Sequence, residues 1–322
     1  MKRSHWLATV AAVVLSLLVP LVVQTDYELQ VLFRIYLFAS LGLAWNLVGG
    51  YAGQLSLGHA AYFGTGAYGL ALFSGKLGMS PWLAVLMGVV VALVCALLIG
   101  GVSFRLRGPY FALSTIAFAE ILRLTAKNLP GLTGGDVGVQ VPPLFHGNIN
   151  RSFYWAAVTL ASLAFALTVA ISRAKFGYYL MAIREDEDTA LSVGIDAARN
   201  KLAALLISAA LTAVAGALYA SIFLFIVPDQ VLALDVSNEI AIVAMLGGAG
   251  TALGPIVGSV VLETASEIFK NTFREAHQLI FGVLLVVVVL FLPGGILGAI
   301  ARFVRRHDTT GEPITGESAP SS

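Results

Sequence analysis

The stretch PWLAVLMGVVVALVCALLIGGVS, residues 81–103, carries no charged side chain. A helix needs about 20 apolar residues to cross the hydrocarbon core of a bilayer, so this segment is long enough to span one. Similar segments recur at 7–24, 30–48, 56–73, 109–126, 153–172, 202–227, 238–262 and 278–299. Backbone groups in lipid must bond internally, which leaves helices or a closed barrel. Long alternating polar–apolar runs, the mark of barrel strands, do not occur. The sequence therefore reads as an all-α polytopic membrane protein.

Composition agrees. The chain has 322 residues, 58% hydrophobic and 11% charged, against the roughly 25% charge of a soluble domain. A net charge of +1 speaks against a nucleic-acid partner. Cys95 is the single cysteine, which excludes an internal disulfide and a thiolate metal cluster. No metal site is expected, since His59 has no second ligand at useful spacing. The apolar surroundings of Cys95 mark it as lipid-facing or core filler. Residues 1–24 have Lys2 and Arg3 before an apolar run but no convincing small-x-small cleavage site, so an uncleaved first span is expected.

Basic residues set the expected orientation. Lys2 and Arg3 put the N-terminus in the cytoplasm. Alternation then places Arg105, Arg107 and the 173–201 loop inside, and the 128–150 loop, which has no Lys or Arg, outside. Nine simple crossings would leave the arginine-rich stretch ARFVRR (301–306) outside, contrary to the rule. The segment MLGGAGTALGPIVG (245–258) suggests the remedy, because glycine and proline at that density break a helix. The expected topology is about eight full transmembrane helices plus one broken or re-entrant pair, 8–10 segments in all. Both termini are then cytoplasmic, and one transmembrane domain covers 1–300. A second break is expected at GGYAGQLSLG (49–58), about 200 residues earlier. Paired interruptions of this kind point to a transport pathway. Residues 301–322 are polar and rich in Pro, Gly, Ser and Thr, the composition of a disordered tail.

The 173–201 loop holds ten of the 37 charged residues. Its charge is densest in REDEDTALSVG (184–194). Apolar residues between Met181 and Val193 predict one short amphipathic helix ending near Gly194. One reading is a solvated loop that only sets topology; the other is a helix that a second protein grips.

Five stretches then occur in order: YAGQLSLGHAAYFGTGAY (51–68), LRGPYFALSTIAFAEILR (106–123), LTGGDVGV (132–139), AIREDEDTALSVGID (182–196) and MLGGAGTALGPIVG (245–258). Together they resemble the branched-chain amino acid ABC transporter permease family, and within it the LivM-type subunits. The resemblance covers about residues 30–300. Asp188-Thr189-Ala190, three residues, then Gly194 is similar to the EAA-x3-G loop of importer permeases, with Asp and Thr in place of Glu and Ala. The resemblance implies that Arg184, Glu185, Asp186, Glu187, Asp188, Thr189, Ala190 and Gly194 form a coupling helix for a cytoplasmic ATPase.

It also implies the partners: two cytoplasmic ATPases that hold ATP and Mg, a homologous second permease subunit and a periplasmic binding protein. The chain itself is expected to be no enzyme and to hold no cofactor. The implied location is the bacterial inner membrane. Two rivals stay open, an ion-coupled secondary transporter and an ABC permease for urea or short amides.

Several polar residues stand out against the apolar background. Gln54, Ser56 and His59 either line a pathway or satisfy backbone freed by the first break. Ser114 and Thr115 either face that pathway or bond their own helix. Glu120 and Arg123 are spaced for a local ion pair, and Glu120 is also a candidate for receiving substrate. In the outer loop, Thr133, Gly134, Gly135 and Asp136 form either a glycine-rich turn or a contact for substrate or binding protein. Ala60, Gly64, Ala67 and Ala71 share one helical face and predict a packing seam.

Overall fold

The computed structural model describes residues 25–145, 149–272, 282 and 295–299. The predicted first span and the tail 301–322 lie outside the described residues, as does nearly all of the last span.

Among the described residues the chain is almost wholly helical. The helices are α1 (Asp26–Asn46), α2 (His59–Gly69), α3 (Pro81–Ser103), α4 (Pro109–Lys127), α5 (Pro130–Thr133) and α6 (Ile149–Arg173). They continue as α7 (Lys175–Glu185), α8 (Glu187–Ser192), α9 (Ala197–Phe223), α10 (Pro228–Val231), α11 (Leu234–Gly247) and α12 (Gly254–Thr272). Pro81, Pro109, Pro130 and Pro228 each stand in the first turn, where a missing N–H costs nothing and φ is preset. Five helical stretches are long and apolar enough to cross a membrane: Asp26–Tyr51, Pro81–Ser103, Ile149–Arg173, Ala197–Phe223 and Pro228–Gly247. The chain is thus a polytopic helical membrane protein.

Helix α2 sits at the centre. From His59 to Tyr68 every residue but Thr65 is buried, with α9 and α3 closest around it and α4 and α11 beyond. Glycines make this possible. A Cβ on Gly66 would lie 2.0 Å from the Ala213 carbonyl oxygen of α9, and one on Gly69 would lie 2.4 Å from Gly88 Cα of α3. Small residues let helix backbones meet where lipid gives no hydrophobic drive between them. Ala60, Ala67 and Ala71 are buried as the seam requires, and Gly64 lies against Leu232. The closest backbone approaches, though, belong to Gly66 and Gly69. The opposite situation holds on α3, whose Leu83, Leu86, Val90, Val94 and Leu98 are exposed, as suits a lipid-facing side. Cys95 is buried on that helix's inner side.

The structure corrects three expectations and shows the break expected in 238–262 as a pair of helices. Segment 56–73 is no continuous helix. It begins at His59 and its last turns widen to a π-helix, Leu70–Lys76. Segment 238–262 is two helices, α11 and α12, joined by a tight turn. They run antiparallel, since Gly247 meets Gly254 and Val243 meets Gly258. The charged loop holds two helices, α7 and α8, split at Asp186, because Asp186 leaves helical geometry to cap the second. Finally, the described residues, otherwise helical, include one two-residue ladder, Val139↔Ile226 and Gln140↔Phe225.

The molecule has two distinct ends. Gly50, Gly53, Arg184 and Gly250 meet at one, which we call the loop end. Lys76, Gly131, Asp136, Lys127 and Asp229 gather at the other. There Tyr27 Oη donates to Glu267 Oε1 at 2.5 Å, so α12 returns to the end where α1 starts.

Candidate functional site

The first break is built from the sequence LVGGYAGQLSLG. Helix α1 widens into a π-turn over Leu47–Tyr51, and the chain then runs without helix to Gly58. Gly49 is needed because any Cβ there would strike the Trp45 indole at 2.2 Å. That indole lies across the break and donates from Nε1 to the Ser56 carbonyl at 2.7 Å. Thr115 Oγ1 accepts from the Leu57 N–H at 3.1 Å while donating to the Ala112 carbonyl at 2.8 Å. Ser237 Oγ accepts from the Ala60 N–H at 2.8 Å. Buried N–H and C=O groups left over by a broken helix must find partners, and these side chains supply them.

Ser56 and His59 instead bond side chain to side chain. The His59 ring, fully buried, contacts Ser56 Oγ through Nδ1 at 3.2 Å and Ser208 Oγ of α9 through Nε2 at 2.8 Å. Gln54 is partly exposed and donates weakly to the Ala52 carbonyl at 3.4 Å. Ser114 Oγ bonds the Phe111 carbonyl and Ser103 Oγ, each at 2.8 Å. The break, His59, Ser56 and Thr115 thus form one connected cluster, while Gln54 stands at its edge.

The charged loop follows a different logic. Asp186 Oδ1 accepts from the Thr189 N–H at 2.6 Å and caps α8. That N–H is the main reason its carboxyl is held below the ordinary carboxylate value. Asp196 caps α9 in the same way through the Arg199 N–H at 3.0 Å. Glu187 Oε1 lies 2.8 Å from Lys201 Nζ, whose ammonium also stands 5.3 Å from the Phe104 ring centre. Asp188 takes a two-pronged bond from Arg107, at 2.7 and 2.9 Å, and this bond raises the guanidinium pKa. Ala190 is buried against Ile183 and Ala197. Gly194 has φ 87°, a conformation glycine adopts freely, and it ends the unit. Two of the acidic side chains therefore fasten α8 to its own protein. Glu185, Thr189, Leu191, Ser192 and Val193 are among the exposed residues of this stretch.

Arg184 links this loop to both breaks. Its Nη1 donates to the Gly50 carbonyl at 2.9 Å. Its aliphatic stem lies against Gly53 and its guanidinium against Gly250. Beside it, buried Asn46 Oδ1 accepts from the Gly250 N–H at 2.7 Å, and Nδ2 donates to the Thr251 carbonyl at 2.9 Å. The sequence reading missed Asn46. Its signal was an amide inside an apolar segment, three residues before a Gly-Gly pair. It also took Lys201 and Arg107 only as orientation markers.

At the opposite end, Glu120 and Arg123 form the expected ion pair, with Arg123 Nε to Glu120 Oε2 at 2.8 Å. Arg123 and Lys127 also hold Asp229, and Lys127 holds Asp136 at 3.0 Å. Thr133 is buried and bonds the carbonyls of Ala126 and Leu129. Gly134 and Gly135 have φ of 73° and 54°. The Gly134 N–H turns back to the Pro130 carbonyl at 3.1 Å, so it is used within the turn. Val137, beyond Asp136, is highly exposed. Among the described residues no group of His, Cys, Asp and Glu is arranged to hold a metal ion.

Residues 27–289 match the model of a family described as branched-chain amino acid transport system / permease component. The chain is 30% identical over 317 residues to the high-affinity branched-chain amino acid transport system permease protein LivM of Escherichia coli K12, covering 89% of this chain and 74% of that one. It is 30% identical over 298 residues to LivM of Salmonella typhimurium, covering 84% and 69%. The LivH permease of Escherichia coli K12 is 28% identical over 286 residues, 81% of this chain and 91% of that one. No solved structure matches. With its breaks, its charged loop and the family match in agreement over most of its length, the chain belongs to the permease-component family of branched-chain amino acid transport systems.

Proposed function

We propose that the chain is the membrane permease subunit of an ATP-driven importer for branched-chain, hydrophobic amino acids. It crosses the bacterial inner membrane with the loop end in the cytoplasm and both termini on that side. One observation carries the reading. A pair of short helices, α7 and α8, is anchored at one end of a helical bundle and wired through Arg184 to two broken helices. A solvated topology loop has no need of such wiring. The relatives' printed names supply the substrate class.

In this reading two cytoplasmic ATPases, which bind Mg-ATP, dock on the outward side of α8 at Glu185, Thr189, Leu191 and Val193. A second, homologous permease subunit completes the passage, in keeping with similarity to both LivM and LivH. The turn at Thr133–Asp136, with exposed Val137, meets a periplasmic binding protein at the other end. Solute passes beside the first break at Gln54, while Ser56, His59, Ser114 and Thr115 hold the surrounding structure in place. Glu120, near the far end of α4, lies toward the entrance. Eight traverses run from α1 to α12, with the α11–α12 pair turning at the loop end.

The test is reconstitution. Co-expressed with two ATPases, a second permease and a binding protein, the chain is expected to support ATP-dependent uptake of a branched-chain amino acid, with urea a poor competitor. Accumulation by the chain alone, with an ion gradient and no nucleotide, would overturn the reading.

A further inference from the structure

The two helix breaks are far apart in sequence, yet at the loop end they are one object. Asn46, from the last turn of α1, bonds the Gly250 N–H and the Thr251 carbonyl of the α11–α12 turn. Arg184, from α7, bonds the Gly50 carbonyl of the first break and covers Gly250 of the second. Both positions favour glycine: a Cβ on Gly50 would lie 2.4 Å from the Gly250 backbone N, and Gly250 has φ 81°.

The two side chains differ in where they stand. Asn46 is fully buried and belongs to one of the elements it joins. Arg184 is exposed and belongs to neither, standing in the last helical turn before Asp186 and α8. A displacement of α8 therefore has in Arg184 a side chain that touches both breaks. Unpaired backbone held by few side chains is the part of a bundle that opens at least cost.

We infer that Arg184 is a positioning residue for transport: with Asn46 it forms a clasp that closes the loop end of the bundle, and movement of α7–α8 releases both breaks together. This rests on the reading of the chain as a driven permease subunit. The proposed ATPase contact lies on the outer side of α8, so the clasp is a separate element of the same device.

The experiment uses the assembled complex in vesicles and compares wild type with Arg184→Gln and Arg184→Lys. The readout is amino acid taken up per ATP hydrolysed. Arg184→Gln is expected to lower this ratio about tenfold, the usual size of a coupling free energy. Arg184→Lys, which keeps one donor for the Gly50 carbonyl, recovers part of it. An unchanged ratio in Arg184→Gln overturns the inference and leaves the proposed function standing. A wild-type chain that fails to co-purify with any ATPase overturns the proposed function instead. Hydrogen exchange on the full chain in detergent then still tests the clasp. Arg184→Gln should speed exchange in 46–53 and 248–253 together, and wild-type exchange in 248–253 would overturn it.

Discussion

Lys201 is almost completely buried at the start of α9, and its ammonium is met by Glu187 of α8 at 2.8 Å. A buried charge is tolerated when paired, and removing the partner leaves it uncompensated in a poorly hydrated place. The acidic character of the loop is thus partly a device for holding α8 in place.

The two acidic neighbours should differ sharply. Glu187→Ala is expected to destabilise the fold by roughly 3 kcal/mol, since it strands Lys201. Asp188→Ala removes a bond between exposed partners, and water screening makes such pairs weak. Thermal unfolding in detergent should show a clear drop for the first and almost none for the second. Equal drops would show that α8 is not hung on Lys201.

Asn46→Ala leaves the Gly250 N–H and the Thr251 carbonyl without their side-chain partner. Losing two hydrogen bonds at part-buried groups costs about 2 kcal/mol together. Denaturant unfolding of the purified chain checks the size. Asn46→Asp should recover only part, because a carboxylate keeps the acceptor for Gly250 and loses the donor for Thr251.

Gly66→Ala and Gly101→Ala form a matched pair. The first puts a methyl 2.0 Å from the Ala213 carbonyl, and the second meets nothing within 4 Å. Overpacking between α2 and α9 should cost about 3 kcal/mol or more. In α3 the same change should be neutral or stabilise by roughly 0.5–1 kcal/mol, because glycine is a poor helix former. Expression level and melting temperature read both.

The cap at Asp186 gives a pH dependence with a definite sign. Its folded carboxyl titrates below the ordinary value of 3.8 because the Thr189 N–H favours the anion. The stabilisation is therefore fully present above pH 3.8 and is lost as pH falls through the lowered folded value. Protection of the 187–192 amides against hydrogen exchange should be flat from neutral pH down to that point, then fall. Asp186→Asn, which keeps a capping oxygen without the charge, should remove the pH dependence.

Much of this was legible in the residues. The apolar runs gave the helices, and the glycine-proline clusters gave both breaks, because helix geometry has no substitute for a β-carbon that fits or an N–H that bonds. The local ion pair at Glu120 and Arg123 followed from spacing alone. What could not be read was any relation between distant segments. Asn46 and Gly250 are joined only in the fold, and so are Arg184 and Gly50. The pairings of Glu187 with buried Lys201 and of Asp188 with exposed Arg107 were hidden for the same reason, since these partners lie outside α8. The split at Asp186 was missed because the apolar period runs on through it while the capping oxygen interrupts the backbone.

One feature of the α11–α12 pair has a mechanical result. Where Gly247 faces Gly254 and Gly258 faces the Val243 carbonyl, main chain touches main chain. No rotamer there can flip and no methyl can yield, so the gap between the two rods is fixed by the peptide itself. A push on the turn is then not absorbed locally. Halfway along the pair, Glu263 of α12 meets Arg34 of α1 at 3.1 Å, so a stiff pair displaced at its turn would carry that contact with it.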